Sequence, residues 1–253
     1  MSTTSRQQGA TAPATRKLPP GQHARKDFPR FGTHLHLPPP RVPEEPAIEV
    51  SGAVREPFTV PLARLAALPR REQTSDLHCV SGWSAVGIRW EGVPFSTFYR
   101  ELIEPRLAGD AAWLVLECLD GYRVVEYLED ALADDALLAD RLNGEPLDGD
   151  HGAPLRFVSP GQYGYVSAKH LSRIEVHTEE PKENYGRVHW LGRIVMRPPL
   201  FWRHPRGRVW QQERNPRVPN WLLMPFYATI RPPIRWLSAL GDQRGTDEKR
   251  GGG

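Results

Sequence analysis

Hydrophobic and polar positions alternate over Ile48-Glu49-Val50 and the pattern reaches Val54, which predicts a strand with a bend at Ser51-Gly52. Phe58-Thr59-Val60 predicts a second short strand. Leu62, Leu65 and Leu68 then share one helical face behind Pro61, whose missing N–H costs nothing at a helix start, and Pro69 ends the helix. Ile88-Arg89-Trp90 alternates as a strand, and Phe95 to Ile103 reads as a helix with Phe95, Phe98, Tyr99 and Leu102 on one face. Trp113 to Cys118 predicts a buried strand, Asp120-Gly121 a turn, and Tyr122 to Tyr127 the returning partner of a hairpin. Leu128 to Leu138 reads as a short acidic helical region, with Leu155–Val158 and Leu171–Val176 as two further strands. Strands and short helices without regular βαβ alternation predict an α+β fold with mixed β-sheets. No internal repeat is visible.

Domain organisation follows from where this patterning starts and stops. Residues 1–28 are rich in Ser, Thr, Gln, Pro and basic residues, and Met1–Lys17 cannot bury enough apolar surface to offset its ordering entropy, so a disordered tail is expected. The folded domain is expected over 29–180. Its first stretch, Pro29 to Leu37, alternates apolar residues with histidine and is expected to be extended and docked. Residues 181–240 form an extension rich in Trp, Pro and Arg, and 241–253 a polar tail.

Composition adds less. Proline is frequent, with 26 residues in 253. That is about twice the usual ~5%. The net charge of +3 does not imply nucleic acid, and no RNA-binding motif accompanies the basic residues, so no nucleic-acid partner is expected. Its distribution is uneven: from Arg187 to Arg217 acids nearly vanish while arginine recurs among Trp202, Trp210 and Trp221. That segment either wraps the core or presents a surface for peripheral contact with an anionic membrane or an acidic redox partner. Two cysteines cannot build a disulfide framework. There is no run of eighteen apolar residues, no apolar signal core in the first thirty, and twin arginines only at Arg70-Arg71. With Met1 at the start, no trimmed leader is expected, and cytoplasmic residence is the expectation.

The candidate chemistry begins at Cys79, in Leu77-His78-Cys79-Val80-Ser81-Gly82-Trp83-Ser84. A cysteine among polar neighbours can be a metal ligand or a nucleophile as well as a small packed hydrophobe. No nucleophile elbow surrounds it, and there is no C-x-x-C or H-x-x-x-H for zinc. Other segments follow in order: Trp90-Glu91-Gly92-Val93-Pro94, Leu142-Asn143-Gly144-Glu145-Pro146-Leu147, Asp150-His151-Gly152-Ala153-Pro154-Leu155-Arg156 and Pro160-Gly161-Gln162-Tyr163-Gly164-Tyr165.

Taken together, from about Pro29 to His177, these segments resemble the molybdenum-cofactor-binding domain of the sulfite oxidase superfamily, including bacterial single-domain and protein-methionine-sulfoxide reductase catalytic-subunit types. The resemblance implies that Cys79 is the thiolate ligand of molybdenum and the catalytic residue. It implies that His151 and Arg156 contact the pyranopterin and its phosphate, while Ser167, Ala168 and Lys169 close around the phosphate with backbone N–H groups and one ammonium. Thr33 and His34 would touch the pterin, and Cys118 stands where related reductases have a threonine near the metal. A Gly-rich turn and an arginine fork suit a phosphate on physical grounds too.

Two departures shape the functional expectation. Gly32 stands where sulfite-oxidising members carry an arginine, which weakens the case for sulfite. The roughly seventy residues beyond the domain have the wrong texture for the family's C-terminal dimerisation sandwich, so a monomer is expected. No haem-binding domain is visible, so the resemblance implies a separate electron-transfer protein. The expected function is a molybdenum-molybdopterin-dependent oxidoreductase, transferring an oxygen atom to or from a small-molecule or sulfoxide-type substrate. The alternatives are a non-catalytic cofactor-binding or partner subunit, and a thiol enzyme with His78 or His151 as base.

Overall fold

A computed structural model describes residues 17–25, 28, 38–181 and 204–214, with Leu222, Pro225 and Thr229 singly. Two mixed sheets carry almost all of the regular structure, and the helices are single turns, so the fold is α+β. The elements in chain order are β1 (His23–Arg25), β2 (Ala47–Gly52), β3 (Phe58–Pro61), α1 (Leu62–Leu65), β4 (Arg71–His78), β5 (Trp83–Pro94) and α2 (Phe95–Phe98). They continue as β6 (Trp113–Cys118), β7 (Arg123–Tyr127), α3 (Leu128–Ala131), β8 (Leu137–Leu142), β9 (Glu145–Pro146), β10 (Arg156–Val158) and β11 (Leu171–His177). Among the described residues no helix is long and apolar enough to cross a membrane.

One sheet has the order β3-β2-β11-β6-β7. The strands found here are those with clear alternation: Ile48 and Val50 of β2 point inward beside Leu114 and Leu116 of β6 and Ile174 and Val176 of β11. Phe95, Phe98 and Tyr99 cover this face and form the larger core. Each such side chain, fully buried, contributes roughly 1.5–3 kcal/mol. The bend at Ser51-Gly52 is enforced by Gly52, at φ 89°, where a Cβ would lie 2.1 Å from the Val176 carbonyl oxygen.

The other sheet has the order β1-β5-β8-β10, with β4 on β5 and β9 on β8. The twelve-residue β5 organises it. Its first residues, Trp83 to Ala85, pair in parallel with β1, and its last, Trp90 to Pro94, pair with β8. A smaller core of Trp83, Ile88, Trp90, Leu137, Leu147 and Val158 lies on it.

Several expectations are corrected here. The acidic helix expected over Leu128–Leu138 is a single turn, Leu128–Ala131, and Leu137–Leu142 is strand β8. Leu137, Leu138 and Ala139 are all buried because both faces of β8 are covered, so the run shows no alternation. β4 went unrecognised for a related reason: its first half is polar, and Ser75, Asp76, Leu77 and His78 are buried together. The Phe95–Ile103 helix forms with Phe95, Phe98, Tyr99 and Leu102 buried, as an α-turn followed by a wider π-type turn over Tyr99–Ile103. Within the span read as a disordered tail, His23–Arg25 is a strand: backbone pairing to Trp83–Ala85 supplies an order that composition does not reveal.

In the described part of the basic extension the arginines and Val209 turn inward, while Trp210 is 51% exposed. Arg206 pairs with Glu129 at 3.2 Å and lies over the Tyr127 ring, and Arg208 pairs with Asp130 at 2.7 Å. Val209 is buried in the larger core. Arg203, Arg217, Trp202 and Trp221 lie outside the described residues.

Candidate cofactor-binding site

β4 delivers Cys79 to the tight turn that joins it to β5. The turn is closed by the Cys79 N–H on the Trp83 carbonyl at 2.8 Å and the Gly82 N–H on the Cys79 carbonyl at 2.9 Å. Gly82 sits at φ 96°, a conformation open to glycine. Cys79 is half-buried, and its Sγ lies 3.0 Å from the Ser81 hydroxyl, which can donate to a thiolate.

Donors from three other segments hold the carbonyls of this turn. The Gly164 N–H bonds the His78 carbonyl at 2.7 Å, Gln22 Nε2 the Cys79 carbonyl at 3.1 Å, and Arg214 Nη1 the Val80 carbonyl at 2.7 Å. The buried His78 lies alongside: its Nδ1 is 2.7 Å from Ser84 Oγ, and that hydroxyl donates to Gln22 Oε1 at 3.1 Å, which makes Nδ1 the donor.

A second centre forms where β10 begins. Arg156 is 4% exposed, and its guanidinium lies 5.4 Å from the Phe28 ring centre and 5.3 Å from that of Trp90. Nη1 donates to the His151 carbonyl at 3.1 Å, while Nε is buried with no hydrogen-bond partner. Among the described residues no carboxylate pairs with it. Burial pushes its pKa down to about 9, opposed only by the nearby Cys118. The indole N–H of Trp90 is likewise buried and unsatisfied. Two orphaned donors next to one another are costly unless an acceptor belongs there.

The surrounding loops converge on Arg156. Lys169 bridges to it across the backbone, and its Nζ lies 3.4 Å from the Asp150 carbonyl. Gly152 separates the two: at φ 116°, a Cβ there would come within 3.2 Å of Lys169 Cβ and 3.3 Å of Arg156 Cβ. His170 Nδ1 donates to the Ala153 carbonyl at 2.6 Å and pins the same crossing. Cys118, at the end of β6, is buried 97% by side-chain packing into the larger core, being 3% exposed. Burial pushes its thiol well above the ordinary value, and the charges of Lys169 and Arg156 oppose that rise.

His151 bonds Asp148 Oδ1 at 2.7 Å through Nδ1 and the Phe28 carbonyl at 3.0 Å through Nε2. Both ring nitrogens are thus held by oxygen acceptors. Burial alone would raise the Asp148 carboxyl, but the hydrogen bonds and charge of His151 outweigh it and hold it below the usual range.

The structure therefore gathers Cys118, His151, Arg156 and Lys169, and sets Cys79 in a turn that packs on the same small core as Phe28 and Ala153. Of the expected phosphate loop, Ser167 is buried with its Oγ accepting the Ser159 N–H at 3.2 Å. The Ala168 N–H is taken by the Val166 carbonyl at 2.7 Å, so this donor serves the loop's own shape. Thr33 and His34 lie outside the described residues. Sequence reasoning missed Gln22, Phe28, the Trp90 N–H and Arg214. Arg214 stood in the basic run and Trp90 at the head of the Trp90–Pro94 segment, but neither was read as part of the site.

The model of the oxidoreductase molybdopterin binding domain matches residues 34–185. The chain belongs to this family. It is a molybdopterin-binding oxidoreductase, and the matched span includes Cys79, Cys118, His151, Arg156 and Lys169. The oxidoreductase YuiH of Bacillus subtilis is 32% identical over 202 residues, 78% of this chain and 91% of YuiH. A putative protein-methionine-sulfoxide reductase subunit, YedZ1 of Azospira oryzae, is 34% identical over 134 residues, covering 53% of this chain and 50% of that protein. The protein-methionine-sulfoxide reductase catalytic subunit MsrP of Gluconobacter oxydans is 31% identical over 157 residues, 56% of this chain and 50% of its own. The chain thus spans about half the length of these two relatives.

Proposed function

We propose that Cys79 supplies a thiolate to molybdenum and that Arg156, Lys169 and His151 hold the pterin and phosphate end of the cofactor. The observation that carries this reading is the buried Arg156 cation, with its Nε and the neighbouring Trp90 N–H both lacking acceptors. An anionic, acceptor-rich group satisfies both donors and offsets the buried charge. The donor set fits the cofactor: one half-buried thiol for a soft metal, and two cations with an imidazole for phosphate and pterin. Among the described residues no three His, Cys, Asp or Glu side chains cluster to hold a metal ion by themselves.

When bound, the cofactor supplies a metal centre that changes oxidation state as an oxygen atom moves to or from substrate. The protein's own part is binding and orientation. Ser81 donates to the thiolate and directs it. Arg156 and Lys169 neutralise phosphate charge, and the rings of Phe28 and Trp90 keep water from the guanidinium, which strengthens its interaction. Asp148 fixes the ring of His151. Substrate is a small molecule or sulfoxide, and the electrons come from or go to a separate protein. The sulfoxide class rests on the similarity to the protein-methionine-sulfoxide reductase subunits MsrP and YedZ1. A thiol hydrolase using His151 as base is disfavoured because both ring nitrogens are committed.

The test is molybdenum content by mass spectrometry, with pterin fluorescence, on protein made in a cofactor-competent host. Near-stoichiometric metal and pterin are expected in the wild type and a sharp loss in Arg156→Met. Wild-type occupancy in Arg156→Met would remove the basis of this reading.

A further inference from the structure

Arg214 lies beyond the family match, which ends at residue 185, yet it is 3% exposed and reaches the Cys79 turn. Its route there is built into residues 204–214. The Tyr163 N–H bonds the Gly207 carbonyl at 2.8 Å, Gln162 bridges Arg208, and the Val209 N–H bonds the Gly161 carbonyl at 3.0 Å. Gly207 is required at this crossing, since a Cβ there would lie 2.3 Å from Tyr165 Oη. The chain then doubles back: the Glu213 N–H bonds the Arg208 carbonyl, and Gln212 takes φ 57°. This reversal drives Arg214 inward.

The guanidinium spans two loops. Nε donates to Tyr163 Oη at 2.8 Å, Nη1 donates to the Val80 carbonyl at 2.7 Å, and the guanidinium carbon lies 5.0 Å from the Tyr163 ring centre. Tyr163 is fully buried, and its own backbone bridges His78. The Cys79 turn, the glycine-rich loop and Arg214 therefore form a closed triangle. With Gly164 on the His78 carbonyl and Gln22 on the Cys79 carbonyl, successive carbonyls on either side of the thiol are each held by a different segment.

We propose that Arg214 is a positioning residue for Cys79: its planar fork ties the Val80 carbonyl to Tyr163 and so fixes the direction of the thiol. The proposal rests on the reading of Cys79 as the metal ligand. Lysine cannot reproduce the hold, because one ammonium does not span two acceptors in the fixed geometry of a guanidinium.

The chain has two cysteines, and the second provides a control. In cofactor-free protein, iodoacetamide alkylation of Cys79 and of Cys118 is followed separately by mass spectrometry. Each thiol's rate in the variant is compared with its own rate in the wild type at one fixed pH. In Arg214→Ala, Cys79 is expected to react about tenfold faster, the factor for losing one charged hydrogen bond from a local opening equilibrium. Cys118, buried in the core, keeps its wild-type rate. Arg214→Lys should fall between, and it decides the question alone if Arg214→Ala does not fold. An unchanged Cys79 rate, or a Cys118 rate that rises in step with it, overturns the proposal. The metal spectrum of holo Cys79→Ser tests the ligand reading separately. If that spectrum is the wild type's, the ligand reading fails while the hold of Arg214 on the turn is judged by the alkylation rates.

Discussion

Arg156 and Arg214 are buried to the same degree, 4% and 3% exposed, and each lies against an aromatic ring. They do different things. Arg214 donates to a main-chain carbonyl and a tyrosine hydroxyl, and so joins two loops. Arg156 donates once, to the His151 carbonyl, and its Nε meets nothing. Burial pushes Arg156 down to about 9. Degree of burial therefore does not separate a strut from a ligand site. What separates them is how many hydrogen bonds each makes inside the protein: Arg214 makes two, through Nε and Nη1, and Arg156 one, while Nε of Arg156 and Nη2 of Arg214 are both buried outside these bonds.

The contrast is sharpest in the sign of a stability change. Arg214→Met removes the donors to the Val80 carbonyl and the Tyr163 hydroxyl and should cost about 2–4 kcal/mol in denaturant unfolding of cofactor-free protein. Arg156→Met removes a buried cation that no described carboxylate pairs with, at the loss of one hydrogen bond to the His151 carbonyl and two ring contacts, and should be neutral or stabilising by about 1–3 kcal/mol. Two destabilisations of similar size would erase the distinction.

Next in size is an anion effect. Inorganic pyrophosphate should stabilise cofactor-free wild type by about 2.7 kcal/mol at a hundredfold its Kd. The stabilisation, read as a rise in Tm, should vanish in Arg156→Met and persist in Arg214→Lys.

Glu126 extends the comparison to a buried acid. It is fully buried on β7, where Gln162 Nε2 donates to both of its oxygens at 2.9 and 3.0 Å. Burial pushes its carboxyl well above the usual range, and the Gln162 bond offsets part of that. The folded state therefore holds the proton more tightly than the unfolded chain. The associated stability is complete below the ordinary glutamate pKa and is lost as pH rises through the folded value. Glu126→Gln should flatten that decline, leaving the variant ahead of wild type by about 1–2 kcal/mol at the alkaline end of the window. Urea melts at several pH values measure it. The smallest effect is Tyr163→Phe, which deletes the acceptor of Arg214 Nε and should cost about 1 kcal/mol.

How far the sequence was legible follows the same division. Strands with one covered face, such as β2 and β6, announced themselves through Ile48/Val50 and Leu114/Leu116. β8 did not, because Leu137, Leu138 and Ala139 are covered on both faces and a short apolar run fits helix or strand equally. At the site, Cys79, His151, Arg156 and Lys169 stood in recognisable segments. Gln22 and Arg214 act on main-chain carbonyls, an acceptor that every residue presents, so no side-chain pattern marks the pairing. The Ala168 N–H shows the converse: the segment was readable, but the hydrogen bond to Val166 that occupies it was not.

The most direct test of the account is X-ray absorption at the molybdenum edge of the loaded wild type and of Cys79→Ser. The account predicts a sulfur ligand in the wild type beyond those of the cofactor, and its loss in Cys79→Ser with the rest of the sulfur shell intact. An identical sulfur shell in both proteins would contradict it.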